Sequence, residues 1–127
     1  MNTQDSWTQT ILGEPASKAN SRRLILVGKH PRSIKSEKAL NYEKYALAQI
    51  RPPAEPFDCE VCMVAHIHYC TQRPDLDESL IMDILEKGGV VKNDRRIREK
   101  HIFHYIDKEN PRARITITPR GQNTCAV

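Results

Sequence analysis

Cys59-Glu60-Val61-Cys62-Met63-Val64-Ala65-His66-Ile67-His68-Tyr69 decides the fold, because apolar residues recur in it at every second position. Successive side chains of an extended chain point to opposite faces, so Cys59, Val61, Met63, Ala65, Ile67 and Tyr69 share one side. That is the pattern of a strand with one buried face. Downstream, Leu80, Ile81, Ile84 and Leu85 fall at helical spacing within Leu80 to Lys87, and Gly88-Gly89 supplies a C-terminal stop. His101 to Ile106 and Arg112 to Thr118 read as two further strands, and the turn residues Asp107-Lys108-Glu109-Asn110-Pro111 between them predict a hairpin.

Upstream, Leu24-Ile25-Leu26-Val27 reads as a short buried strand, closed by Gly28 and the basic loop Lys29-His30-Pro31-Arg32-Ser33. From Ser36 to Ile50 the residues Ala39, Leu40, Tyr45, Ala46, Leu47 and Ile50 gather mostly on one side of a helical wheel. Ser36 is the expected N-cap, and Pro52-Pro53 ends the helix. Residues 1–21 show little apolar periodicity and read as a flexible N-terminal arm, 22–119 as the folded domain and 120–127 as a flexible tail. The expectation is a small single α/β domain with a mixed β-sheet packed against two main helices.

The chain has 127 residues, 20 Lys and Arg against 16 Asp and Glu, a formal charge of +4 and a pI near 9.0. This balance favours an anionic partner, with nucleic acid the first candidate, but an excess of this size does not establish one. No run approaches the roughly 18 apolar residues of a membrane span, and the polar start lacks the regions of a signal peptide. A cytoplasmic protein without membrane contact is expected. The four cysteines then read as reduced thiols with no bridge. Cys59 and Cys62 lie on opposite faces of their strand and no second pair follows at finger-like spacing, so no zinc is expected. Cys62, His66, His68 and Cys70 do share a face, which admits a metal cluster, but buried thiols and half-exposed imidazoles are the simpler reading.

The chemistry centres on acids. Asp75-Leu76-Asp77 places two carboxylates on one side of an extended backbone, about 6–7 Å apart. A Mg²⁺ between them, with Mn²⁺ as the alternative ion, would keep both ionised and ready to hold phosphate oxygens. Asp94 follows beyond the helix as a third hard ligand. Such a site polarises a phosphate and activates a bound water, as phosphodiester hydrolysis requires. The simpler reading makes Asp77 the N-cap of the helix and Asp94 a turn residue. Arg32, Lys35, Arg73, Lys92, Arg95 and Arg96 are the candidate phosphate-binding residues, against a solvated surface with local pairs such as Arg95 with Glu99.

Arg73-Pro74-Asp75-Leu76-Asp77, the helix with Asp83-Ile84-Leu85, and Gly89-Val90-Val91-Lys92-Asn93-Asp94-Arg95-Arg96-Ile97 together resemble the signature of RusA-like Holliday-junction resolvases. Leu24 to Ile50, with Tyr42-Glu43-Lys44-Tyr45-Ala46, resembles the family's opening, and Arg112 to Thr118 its closing strand. The resemblance implies that Asp75, Asp77 and Asp94 are catalytic, metal-binding carboxylates. It further implies Mg²⁺-dependent cleavage of four-way or otherwise branched DNA by a homodimer in a bacterial or phage-infected cell. A two-fold pair of sites suits a substrate that must be nicked on two strands. Three departures stand out. Glu78 replaces the family's Asn, the interval to the helix is about two residues shorter, and Ser79-Leu80-Ile81-Met82 lacks the family's Lys. Lys87 and Lys92 are the candidates to replace it, and a catalytically weak or inactive junction-binding protein is the alternative function.

Overall fold

The computed structural model describes residues 6–15, 22–27, 30–35, 37–71 and 78–120, with the backbone alone between 22 and 35. The strands are β1 Trp7–Leu12, β2 Arg22–Val27, β3 His30–Lys35, β4 Val61–Tyr69, β5 Ile97–Ile106 and β6 Arg112–Pro119. The helices are α1 Glu37–Gln49 and α2 Ser79–Lys87, and Asp94–Arg96 forms one 3-10 turn. The expected small α/β domain with a mixed sheet and two main helices is what the chain forms. No helix among the described residues is long and apolar enough to cross a membrane.

β4 is the organising strand. Its burial alternates strictly, with Val61, Met63, Ala65, Ile67 and Tyr69 buried. The four-stranded sheet runs β1-β6-β4-β5, with β4 parallel to β5 and antiparallel to β6. Parallel neighbours need a crossover, and α2 provides it. Leu80, Ile81, Ile84 and Leu85 are all at most 1% exposed. Each contributes roughly 1.5–3 kcal/mol of transfer free energy relative to an exposed position, which holds α2 on the sheet. Gly89 takes φ +84 after the helix, and at Gly88 a Cβ would meet Ile84 O and Ile50 Cγ2 at 2.9 Å. This Gly-Gly stop is therefore required by both backbone angle and close approach.

Several expectations change. The strands β5 and β6 are not a hairpin, because β4 lies between them. The five residues Asp107 to Pro111 must span two strand spacings, roughly 10 Å, instead of one. Asp107 N–H donates to Tyr69 O at 2.8 Å, which carries the chain across the end of β4. Secondly, the predicted loop 29–33 largely belongs to β3, which pairs with β2 as a separate two-stranded sheet in which Pro31 lies opposite Leu26. A proline is compatible with a strand that has a neighbour on one side. The Ser36 cap lies outside the described residues.

Thirdly, Trp7–Leu12, assigned to a flexible arm, is an edge strand paired along its whole length with β6. Its inward positions are Trp7, Gln9 and Ile11, too polar to register as a strand, and glutamine side chains do the work of a peptide ladder. Gln49 Oε1 accepts from Leu12 N–H at 2.8 Å and Gln49 Nε2 donates to Leu12 O at 3.0 Å. Gln9 reciprocates on the Gln49 carbonyl at 2.7 Å and the Arg51 amide at 2.9 Å. Lastly, Cys59 is disulfide-bonded, contrary to the expectation of four thiols, whereas Cys62 and Cys70 are free.

The buried stripe of α1 is also shifted from its predicted place. Ala39, Tyr42, Glu43 and Ala46 are buried while Leu40 and Tyr45 are largely exposed. The Glu43 carboxylate is compensated by Lys87 Nζ at 2.6 Å, a pair that ties α1 to α2.

Candidate metal and nucleic-acid site

Asp75, Asp77 and Arg73 lie outside the described residues, in the connection between β4 and α2. Arg32 and Lys35 fall on β3, of which the backbone alone is described. Among the described residues the candidate site comprises Asp94, its neighbours and the start of α2.

Glu78, the residue after Asp77, is the N-cap of α2 and makes no side-chain capping bond. The cap position predicted for Asp77 is thus occupied by its neighbour. The Glu78 carboxylate instead receives Lys100 Nζ at 2.7 Å, and the Lys100 amine also lies 4.0 Å from Met82 Sδ. Lys100, on β5, therefore puts a cation at the start of α2, over the turn where the sequence lacks the family's Lys. The two predicted substitutes are engaged elsewhere: Lys87 with Glu43, and Lys92 with Asp58 at 3.6 Å.

At the other end of α2, the Asp94 amide donates to Glu86 Oε1 at 3.0 Å. The turn role predicted for Asp94 belongs to Asn93, whose Oδ1 accepts from Arg95 N–H at 2.8 Å. The half-buried Asp94 carboxylate has no hydrogen-bond or ion-pair partner among the described residues. A hard oxygen donor left available in this way fits a Mg²⁺ or Mn²⁺ ligand. Glu78 and Glu86 are eight positions apart along α2, about 12 Å of axial rise, so Asp94 and the start of α2 mark opposite ends of this helix.

A surface cleft of about 360 Å³ at the 3-10 turn is lined by Glu60, Asn93, Arg95, Arg96 and Arg98, with Asp94 itself outside the lining. Arg96 pairs with Asp58 at 3.1 Å. Arg95 and Arg98 have no carboxylate partner among the described residues, and the predicted Arg95–Glu99 pair is not formed. Arg98 owes its place to a β-bulge. The β4–β5 ladder passes from Val61 opposite Ile97 to Cys62 opposite Glu99, leaving Arg98 as the extra residue. Bulges re-aim side chains in this way. Arg98, Lys100 and Glu86 were not singled out in sequence. Lys100 and Arg98 would have been found by extending the β5 strand back to Ile97 and pairing it in parallel.

A mixed-sheet α/β domain with a partner-free aspartate and an arginine-lined cleft at the crossover end offers chemistry suited to a phosphate-bearing ligand. The family follows from comparison with known proteins: residues 13–118 match endodeoxyribonuclease RusA, and the chain belongs to that family. No curated protein matches the sequence.

Proposed function

We propose that the protein is a metal-dependent endonuclease that resolves four-way or other branched DNA junctions by paired phosphodiester hydrolysis. Asp75, Asp77 and Asp94 are its candidate carboxylate ligands and Mg²⁺ its ion, with Mn²⁺ as a substitute; Asp77 precedes the cap of α2 and Asp94 follows its far end, about 12 Å along the helix, so Asp94 and the Asp75–Asp77 pair would serve separate ions. The observation that carries the reading is the Asp94 carboxylate, held without a partner among the described residues in the turn whose neighbours Asn93, Arg95 and Arg96 line the cationic cleft, in a chain of this family. An ion held by these carboxylates would supply Lewis-acid activation of a phosphate and of a water, and Arg95 and Arg98 would hold the phosphodiester backbone. Arg32, Lys35, Arg73, Lys92 and Arg96 extend the contact surface. Lys92 and Arg96 would first exchange Asp58 for phosphate. Lys100 supplies the cation at the start of α2 that the sequence of the helix does not provide. A two-fold homodimer presents two such sites to two opposed strands.

The test is a nicking assay on synthetic four-way junction, Y-fork and duplex DNA with and without Mg²⁺, using wild type and Asp77→Asn. Metal-dependent, junction-selective cutting that the variant loses supports the proposal. Equal cutting by Asp77→Asn removes that residue from the site. Metal-independent junction binding without nicking, at any Mg²⁺ or Mn²⁺ level, moves the assignment to an inactive structure-specific binding protein. The engagement of Lys87 and Lys92 elsewhere is the observation that favours that second reading.

A further inference from the structure

The outer face of the sheet, away from the helices, carries a second group of metal-ligand side chains. Cys62 on β4 stands opposite Glu99 on β5, and His101 follows two residues along β5 on the same face. One ligand atom from each lies within 4.8 Å of the other two. His101 Nε2 and Glu99 Oε2 are 2.7 Å apart. The other oxygen of Glu99, Oε1, receives Arg120 Nε at 3.3 Å. That contact orients the carboxylate so that Oε2 faces the imidazole and the thiol, the arrangement an outer partner imposes on a metal ligand.

We propose that Cys62, Glu99 and His101 form a binding site for a thiophilic divalent cation of the zinc type, distinct from the aspartate site. The donor set of one thiolate, one imidazole and one carboxylate is suited to Zn²⁺ and poorly suited to Mg²⁺, which takes oxygen ligands alone. With bonds of about 2.0–2.3 Å, a tetrahedral ion needs its ligand atoms roughly 3.3–3.5 Å apart. The Glu99–His101 contact must open slightly and the thiol must close. Glu99 and Cys62 are partly exposed and His101 is exposed, so the movement involves side-chain rotation over a fixed two-strand frame. On binding, the Cys62 thiol releases its proton to solvent. The imidazole keeps its proton on Nδ1 and offers the Nε2 lone pair. Thiolate and carboxylate then neutralise the two positive charges, and a water completes the fourth position. Sequence spacing shows no zinc motif because the three ligands meet only through the parallel pairing of β4 and β5.

The test is titration of the tag-free full chain with Co²⁺, a coloured substitute for Zn²⁺. A near-ultraviolet thiolate-to-cobalt band that saturates at one equivalent, is abolished by Zn²⁺ and is unaffected by millimolar Mg²⁺ supports the site. Cys62→Ser should abolish the band, and His101→Gln should weaken Co²⁺ binding by about 10- to 100-fold or more. Cys70→Ser should leave both unchanged, and circular dichroism confirms that each variant is folded. Absence of a thiolate band, or a band that survives Cys62→Ser, overturns the proposal. Junction cleavage is not the readout, so the outcome is independent of the nuclease assignment.

Discussion

Replacing Asp94 by Asn separates the chemical role of this residue from any structural one. The backbone of Asp94 is committed, since its amide donates to Glu86 and its carbonyl accepts from Ile97 N–H at the end of the 3-10 turn. Asparagine preserves both contacts and the side-chain volume. The carboxylate itself has no partner among the described residues, so its loss leaves no buried group unsatisfied. The stability change should stay within about 0.5 kcal/mol, or roughly 2 °C in Tm for a chain of this size. The amide cannot replace an anionic metal ligand, and junction cleavage should fall at least about 100-fold, which is about 2.7 kcal/mol of transition-state stabilisation. DNA affinity measured without metal should hold or tighten, since one negative charge is removed beside Arg95 and Arg98. Differential scanning calorimetry, a single-turnover nicking assay and a binding titration give the three quantities. Cutting at the wild-type rate would refute the catalytic role. A fall in Tm well beyond a few degrees would show that the carboxylate is structural.

Two further perturbations address neighbouring elements. Lys100→Met keeps the aliphatic stem beside Met82 and removes the cation from Glu78. Because both partners are partly exposed, stability should change by less than about 1 kcal/mol, while cleavage at saturating Mg²⁺ drops about tenfold or more; an unchanged rate would remove Lys100 from the site. Asp107 accepts from Arg112 Nη1 at 2.8 Å and from the Asn110 and Glu109 amides, and these hold its carboxyl below the ordinary value of 3.8. A depressed carboxyl stabilises the fold above its unfolded value and loses that contribution as pH falls through the folded value. Acid unfolding followed by tryptophan fluorescence should therefore be less steep below pH 3.8 in Asp107→Asn than in wild type; identical profiles would refute the assignment.

Much of the fold was legible because it rests on local periodicity. The alternation of Val61 to Tyr69 and the stripe Leu80, Ile81, Ile84, Leu85 specify β4 and α2 without reference to any neighbour. β1 was missed for a definite reason. Its inward face includes Gln9, whose amide is satisfied by Gln49 and Arg51, residues more than forty positions away. The stripe of α1 was misplaced because Glu43 is buried only with Lys87 to neutralise it. Asp94 was visible as an acid in a turn, but its freedom depends on Asn93 taking the capping bond.

The sequence by itself determined β4, α2 and the family signature, since periodicity and residue type act within a few positions along the chain. Tertiary structure alone decided that β4 separates β5 from β6, that a bulge sends Arg98 to the cleft at the 3-10 turn, and that Lys100 reaches Glu78. It also set Glu99 opposite Cys62. Strand order and register depend on which distant faces are buried against each other, and a slip of one residue exchanges every side chain between the two faces of a sheet.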